Sequence, residues 1–311
     1  MTPARILIVA LLTSAAMTVA QTSNPPANTQ GSAAPAGAQT TSPQPPLPQA
    51  SITNPKGKRP PSAKTKQEYD QYLAAANAPD AATAEKLARE FEVQFPNSEL
   101  LPFLFQQVMG KYQKADNSDK TLDMGRKALQ YDPDNIGALI MNATVLAERT
   151  RQTDIDRDQR LKEATADAQR ALEDISVGNY MLAPDTTSEQ VQQFKDQVTG
   201  MAYQALGKSE MERENYTAAE EDLRKAIQTS AAKGDALVWF RLALALDRQN
   251  RYEDANAAIT TAVALAPADS AVANMAKNEQ SRLKQQLAAG AASANPTPSS
   301  NQPQPEVVPS K

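Results

Sequence analysis

Two stretches of this chain are copies of one another. Residues 200–233, GMAYQALGKSEMERENYTAAEEDLRKAIQTSAAK, and 236–269, ALVWFRLALALDRQNRYEDANAAITTAVALAPAD, superpose at an offset of 36 residues. Tyr203 meets Trp239, Leu206 meets Leu242 and Gly207 meets Ala243; Tyr216 meets Tyr252, Ala219 meets Ala255, Leu223 meets Ile259 and Ala226 meets Ala262. Positions 203, 206, 207 and 210 share one face of a helix, as do 216, 219, 223, 226 and 227. Each copy therefore reads as two amphipathic helices, turning at Glu214–Asn215 and at Asn250–Arg251. Small residues stand where the paired helices approach closely, Gly207 with Ala219 and Ala243 with Ala255. One such hairpin cannot bury its apolar face alone, so hairpins must stack.

The pattern resembles the tetratricopeptide repeat (TPR) family, whose signature is an aromatic, then Leu-Gly, Tyr, Ala, a large residue and Pro. The second copy carries Trp239, Leu242, Tyr252, Ala255, Ile259, Ala262 and Pro267, with Ala243 for the usual Gly and Leu246 for the first Tyr. The first keeps Leu206 and Gly207 but has Glu210 at the Tyr slot and Ala231 in place of Pro. The resemblance implies an all-α fold, a right-handed superhelical solenoid of antiparallel helix hairpins, and binding of a protein or peptide partner.

Further hairpins extend upstream. Residues 65–98 hold a degenerate one, with a helix over Lys66–Ala76, a turn at Pro79-Asp80, and Ala84, Ala88 and Phe91 facing inward; Tyr72 occupies its small-residue slot. Residues 102–135 carry Phe105, Met109 and Tyr112, then Leu122, Ala128 and Leu129. In the hairpin over 136–176, the turn Thr150–Asp158 is enlarged and is expected to be a loop. Residues 177–187 interrupt the array, and Thr187 and Gln190 have capping-box spacing for the next helix. A cap helix is expected over 269–288, with Val272, Met275 and Leu283 inward. The array thus covers 64–289.

Proline outlines the remainder. Sixteen of the 22 prolines lie before residue 64 or after residue 290. Residues 21–63, rich in Pro, Gln and Ser, and 290–311 cannot bury enough apolar surface to offset chain entropy, and read as a disordered linker and tail. Residues 1–20 have the form of a signal peptide: Arg5, an apolar run from Ile6 to Leu12, and Thr18-Val19-Ala20 before Gln21. The expectation is an exported protein of the bacterial periplasm or cell envelope. The alternative is an uncleaved anchor over residues 6–20, giving a membrane-tethered assembly factor; membrane contact is expected only then. Lys56, Lys58 and Arg59 are a small basic cluster, read as solvated linker or as a contact to an anionic surface.

The chemical inventory is narrow. There is no Cys and no His, which removes disulfides, thiolate and imidazole catalysis and the commonest metal ligands. The net charge is −4, against the basic face that nucleic acid requires. Asp154, Asp156 and Asp158 alternate like a calcium loop, but Gln159 and Thr165 stand where it needs Gly and Glu. Glu220-Glu221 and the Glu212/Glu214 pair read as solvated helix surface. No enzyme activity, cofactor or metal is expected, and a sugar-binding or carboxylate-based enzyme on the same scaffold ranks last.

In the family, partners bind the concave groove lined by the first helix of each hairpin. Carried over slot by slot, the resemblance implies a groove of Phe103, Gln106, Gln107, Ile140, Met141, Gln204, Lys208, Phe240, Arg241 and Leu244. Some members clamp a peptide carboxylate with Lys and Asn; those slots hold Gln106 and Gly110, then Gln204 and Lys208, so the clamp is not reproduced.

Overall fold

The structure, a computed structural model, describes residues 58–183 and 186–294. The expected signal segment, nearly all of the expected linker and most of the expected tail lie outside them. The described chain is all-helical. Five helix pairs follow one another: α1 (Lys66–Ala76) with α2 (Ala81–Gln94), α3 (Leu101–Lys114) with α4 (Ser118–Tyr131), α5 (Ile136–Arg149) with α6 (Arg157–Val177), α7 (Ser188–Glu212) with α8 (Tyr216–Gln228), and α10 (Ala236–Arg248) with α11 (Tyr252–Leu265). A one-turn helix, α9 (Ser230–Lys233), joins the last two pairs, and α12 (Ala271–Ala294) closes the stack.

Local chemistry sets the ends. Side chains of Thr65, Asp80, Asn117, Asn135 and Asp235 accept a backbone N–H in the first turn of their helices. Thr187 and Gln190 form the reciprocal capping box that their spacing predicts. Three pairs turn by the same Schellman closure. Asn117 N–H bonds Tyr112 O at 3.0 Å, Asn215 N–H bonds Glu210 O at 2.9 Å, and Arg251 N–H bonds Leu246 O at 3.0 Å. Each closure requires a left-handed residue, here Asp116, Glu214 and Asn250 at φ 54°, 61° and 60°. The turns expected at Glu214–Asn215 and Asn250–Arg251 are therefore present and built alike.

Stacking buries what the helical periodicity selects. Second helices present small residues: Ala84 and Ala88, Ala164, Ala168 and Ala171, Ala219 and Ala226, Ala255 and Ala262 are all fully buried. First helices supply the bulk, with Leu104, Phe105, Leu139, Leu146 and Leu242 at most 1 % exposed. At Gly207 a Cβ would meet Leu223 Cγ at 2.8 Å and Ala219 O at 3.4 Å, so the close approach read from the sequence is real. Each second helix also packs on the first helix of the next pair. Successive first helices touch one another, whereas successive second helices make no extended contact. First helices therefore form the inner, concave layer and second helices the outer one. Arg126 reaches Glu163 at 2.7 Å and Lys127 reaches Glu92 at 2.6 Å, tying neighbouring second helices across the outer face.

Several expectations are revised. Lys58–Ser62, expected in the linker, are strapped onto the array. Lys58 Nζ donates to Asp132 Oδ1 at 2.7 Å and to Asp134 O at 3.0 Å, Arg59 pairs with Glu99 at 2.8 Å, and Pro61 is buried. The charge that suggested solvation is spent on carboxylates of the α2–α3 and α4–α5 connections. The enlarged turn Thr150–Asp158 is a loop only through Asp156; its last two residues start α6, which has 21 residues. In α12 the buried face is Ala273, Ala276 and Leu283, not Val272 and Met275; Met275 is 43 % exposed, because α12 lies close on α11 through its alanines. Ala-rich α12 also runs to Ala294, into the expected tail. The interruption at 177–187 does not divide the core. Tyr180 folds back onto Phe194 (ring centroids 5.4 Å apart), and the 25-residue α7 carries both halves. Phe194, Val198, Ala202 and Leu206 face the upstream core, Met211 packs on the downstream one, and Tyr203 packs on both.

Candidate functional site: the inner face of the stack

The ten residues expected to line a groove fall into three classes. Ile140 and Met141 are each 5 % exposed and belong to the core. The sequence of α5 contains the signal for this: Ile136, Leu139, Ile140, Met141, Val145 and Leu146 surround the helix, and a helix apolar all round is a buried one. Arg241 is also buried, at 7 %. Its Nη2 donates to both oxygens of Glu148 on α5, at 2.6 and 2.7 Å. This pair joins the first helices of the third and fifth hairpins, 93 residues apart, and no local pattern announces it.

A second class ties adjacent first helices together. Gln107 Nε2 donates to Tyr72 Oη at 2.6 Å, linking α3 to α1. Burial, the larger influence, pushes the Tyr72 hydroxyl up to about 12 and keeps it protonated. The Gln106 amide lies over Gly137 of α5, where any side chain would collide with it. Lys208 makes no such tie: it is paired with Glu212 one turn along its own helix, α7.

The third class remains open. Phe103, Gln204, Phe240 and Leu244 are half-buried, on first helices α3, α7 and α10. Phe103 shares a depression of about 600 Å³ with Lys58, Arg59, Pro61, Pro96, Pro102 and Tyr131. Leu244 shares one of about 440 Å³ with Asp247, Arg248, Tyr252, Glu279, Arg282 and Gln286. The first helices thus present aromatic, aliphatic and amide groups; the first depression is bounded by the strap, the α2–α3 turn, the start of α3 and the end of α4, the second by α10, the start of α11 and α12. Its charges are largely spent internally: Arg241 on Glu148, Lys208 on Glu212, and Arg282 on Asp247 at 2.6 Å. The second depression was missed by the slot-by-slot reading because α12, which supplies Glu279, Arg282 and Gln286 to it, carries no signature residue.

The other candidates have structural occupations. Asp154 accepts from Arg151 N–H at 2.9 Å, Asp156 lies 3.9 Å from Arg160, and Asp158 pairs with Arg157 at 3.0 Å, so the three carboxylates do not converge. Among the described residues no group of carboxylates has a metal-holding arrangement. Glu220 is held by Arg224 at 2.8 Å and Arg251 at 2.7 Å; burial opposes its ionisation, but these cations and Gln249 outweigh it and keep its carboxyl below the usual range. Asp167 on α6 behaves in the opposite way. Burial, aided by the charge of Glu163, pushes it up to about 7, and its Oδ2 lacks a hydrogen-bond donor. Among the described residues no helix is long and apolar enough to cross a membrane.

Residues 236–269 match the tetratricopeptide repeat family model, so the α10–α11 hairpin is a repeat of that type. No curated protein matches the chain. Among solved structures, a thermophilic TPR protein of Thermus thermophilus is similar at 15% identity, over 71% of this chain and 99% of that one, with a TM-score of 0.41. A tetratricopeptide repeat protein of Parabacteroides merdae is similar at 15% identity, over 75% and 94%, with a TM-score of 0.36. The assembly chaperone of RpL4, Acl4, is similar at 13% identity, over 73% and 99%, with a TM-score of 0.34.

Proposed function

We propose that this stack of helix pairs, with a tetratricopeptide repeat at 236–269, is a non-enzymatic scaffold that holds a protein or peptide segment against its inner face. One observation carries the reading. Phe103, Gln204, Phe240 and Leu244 stay partly accessible on the first helices while charged groups beside them pair with one another. Large apolar groups left accessible beside satisfied charges mark a contact surface for apolar and amide groups. A phosphate backbone would need free cations there instead. We place this scaffold in the cell envelope, on the pattern Arg5, Ile6–Leu12 and Thr18-Val19-Ala20.

The test is affinity capture from native extract with wild type and a Phe103→Ala/Phe240→Ala chain, circular dichroism confirming that both are folded. Arg241 is left intact, because its removal would strand Glu148 and report on stability. Loss of a specific partner with the double variant is expected. A partner retained in full by the folded double variant would move the binding surface elsewhere.

A further inference from the structure

The strap at Lys58–Ser62 has the form of a bound peptide. It precedes the first helix and belongs to no regular element. Lys58 Nζ donates to both carboxylate oxygens of Asp132, at 2.7 and 3.0 Å, and to Asp134 O at 3.0 Å. Arg59 forks onto both oxygens of Glu99, and the Ser62 N–H donates to Glu99 Oε2 at 3.2 Å. Pro61, between Arg59 and Ser62 in sequence, is buried. Pro60 confines Arg59 to extended backbone, so the two cations are presented in a preformed geometry. The hold is nevertheless of an exchangeable kind. The Arg59 and Glu99 side chains are 68 % and 38 % exposed, and such pairs are weak and screened by salt. Pro60 and Pro61 have no N–H with which to join a backbone ladder. A depression of about 600 Å³ stays open beside the strap, walled by Pro96, Pro102, Phe103 and Tyr131.

We propose that the α2–α3 and α4–α5 connections form a recognition site for a partner segment of Lys-Arg-Pro-Pro chemistry, and that Lys58–Pro61 is its exchangeable occupant in cis. Charge complementarity selects the occupant. Glu99 and Asp132 each take one cation of the strap, and a neutral or acidic segment would leave both carboxylates without one. The site goes beyond the inner-face reading and shares only Phe103 with it. Because the strap is joined to α1 by a few residues, it competes at high effective concentration. A free segment that offers the motif alone therefore loses to it. A segment that carries the motif and an apolar neighbour gains the depression at Phe103 and Tyr131 as well, and displaces the strap. The strap thus acts as a filter, admitting basic, proline-containing partners that bring a further contact.

The test uses the full chain and a fluorescent peptide of residues 57–63, Gly-Lys-Arg-Pro-Pro-Ser-Ala, followed by anisotropy. Lys58→Ala/Arg59→Ala opens the strap, and circular dichroism checks that the variant is folded. The peptide is expected to bind the opened chain about tenfold or more tightly than wild type, because the cis competitor is gone. Adding Glu99→Gln/Asp132→Asn to the opened chain is expected to abolish binding. No binding to the opened chain, equal binding to wild type and opened chain, or binding that survives the carboxylate changes overturns the proposal. Hydrogen exchange on wild type covers the case of an opened chain that does not fold. The Ser62 amide is expected to exchange at least about a hundredfold faster than the buried amides of α3, through local release of the strap. Exchange of Ser62 only with global unfolding makes the strap a fixed part of the fold and overturns the proposal. Failure here and failure of the inner-face reading are distinguishable. Absent peptide binding with capture still dependent on Phe103 and Phe240 removes this site alone; peptide binding with capture independent of them keeps it and removes the inner face.

Discussion

Gly207→Ala separates packing from propensity. In helix propensity alone the change favours the folded state by about 1 kcal/mol. In this fold the new Cβ would sit 2.8 Å from Leu223 Cγ and 3.0 Å from its Cδ2, with Ala219 O at 3.4 Å. Leu223 is fully buried and cannot swing into solvent, so overpacking costs about 1–3 kcal/mol. The net expectation is a loss of about 1 kcal/mol. The next hairpin shows how the clash is avoided: Ala243 and Ile259 occupy the equivalent positions, and both are fully buried. Leu223→Ile alone is expected to cost up to about 1 kcal/mol, by reshaping a packed side chain. The Gly207→Ala/Leu223→Ile chain is expected to return to wild-type stability or above, a coupling of about 1–2 kcal/mol. Urea unfolding followed by far-UV circular dichroism reads all three. If Gly207→Ala is stabilising, or if Leu223→Ile fails to rescue it, the two hairpins are not packed equivalently and the repeat argument fails.

Glu214 is exposed and left-handed at φ 61°, so Glu214→Gly is expected to raise stability by about 0.5–1 kcal/mol in the same assay; a loss would mean that its side chain contributes to the turn. Arg241→Met strands the partly buried Glu148 and is expected to cost about 2–3 kcal/mol, while Arg241→Met/Glu148→Gln recovers most of it; a single-variant cost below about 0.5 kcal/mol would reduce the pair to a surface contact. Asp167 lies at about 7 when folded, above its ordinary 3.8, so its ionisation opposes folding. That cost is absent below about pH 4, grows as pH rises and is complete above about pH 7, at most on the order of 4 kcal/mol. Asp222, raised to about 6 by burial, acts in the same sense. Asp167→Asn is therefore expected to flatten, without abolishing, the fall in stability between about pH 4 and 7; an unchanged pH slope would overturn the assignment.

The sequence exposes what is periodic and local. Helix faces, the Glu214 and Asn250 turns and the Thr187–Gln190 cap follow from spacing, because backbone geometry repeats every few residues whatever lies opposite. What a face meets does not follow from its period. Ile140 and Met141 occupy groove slots by register, yet α5 is enclosed by its neighbours and the slots close over them. Arg241 and Glu148 meet only because the stack curves, bringing first helices two hairpins apart together. The strap at Lys58–Ser62 was hidden for a related reason: a basic, proline-rich stretch has the composition of a linker, and the carboxylates that hold it, Glu99 and Asp132, lie downstream in the connections between successive helix pairs.

The central claim is that partners meet the inner layer. The most direct measurement places a photo-crosslinking phenylalanine analogue at position 240 on the inner face or at position 93 on α2, where Val93 is 81 % exposed, and irradiates each chain in native extract. A discrete adduct, heavier than the chain and identified by mass spectrometry, is expected from position 240 and not from position 93. An adduct from position 93 alone would place the binding surface on the outer layer and contradict the account.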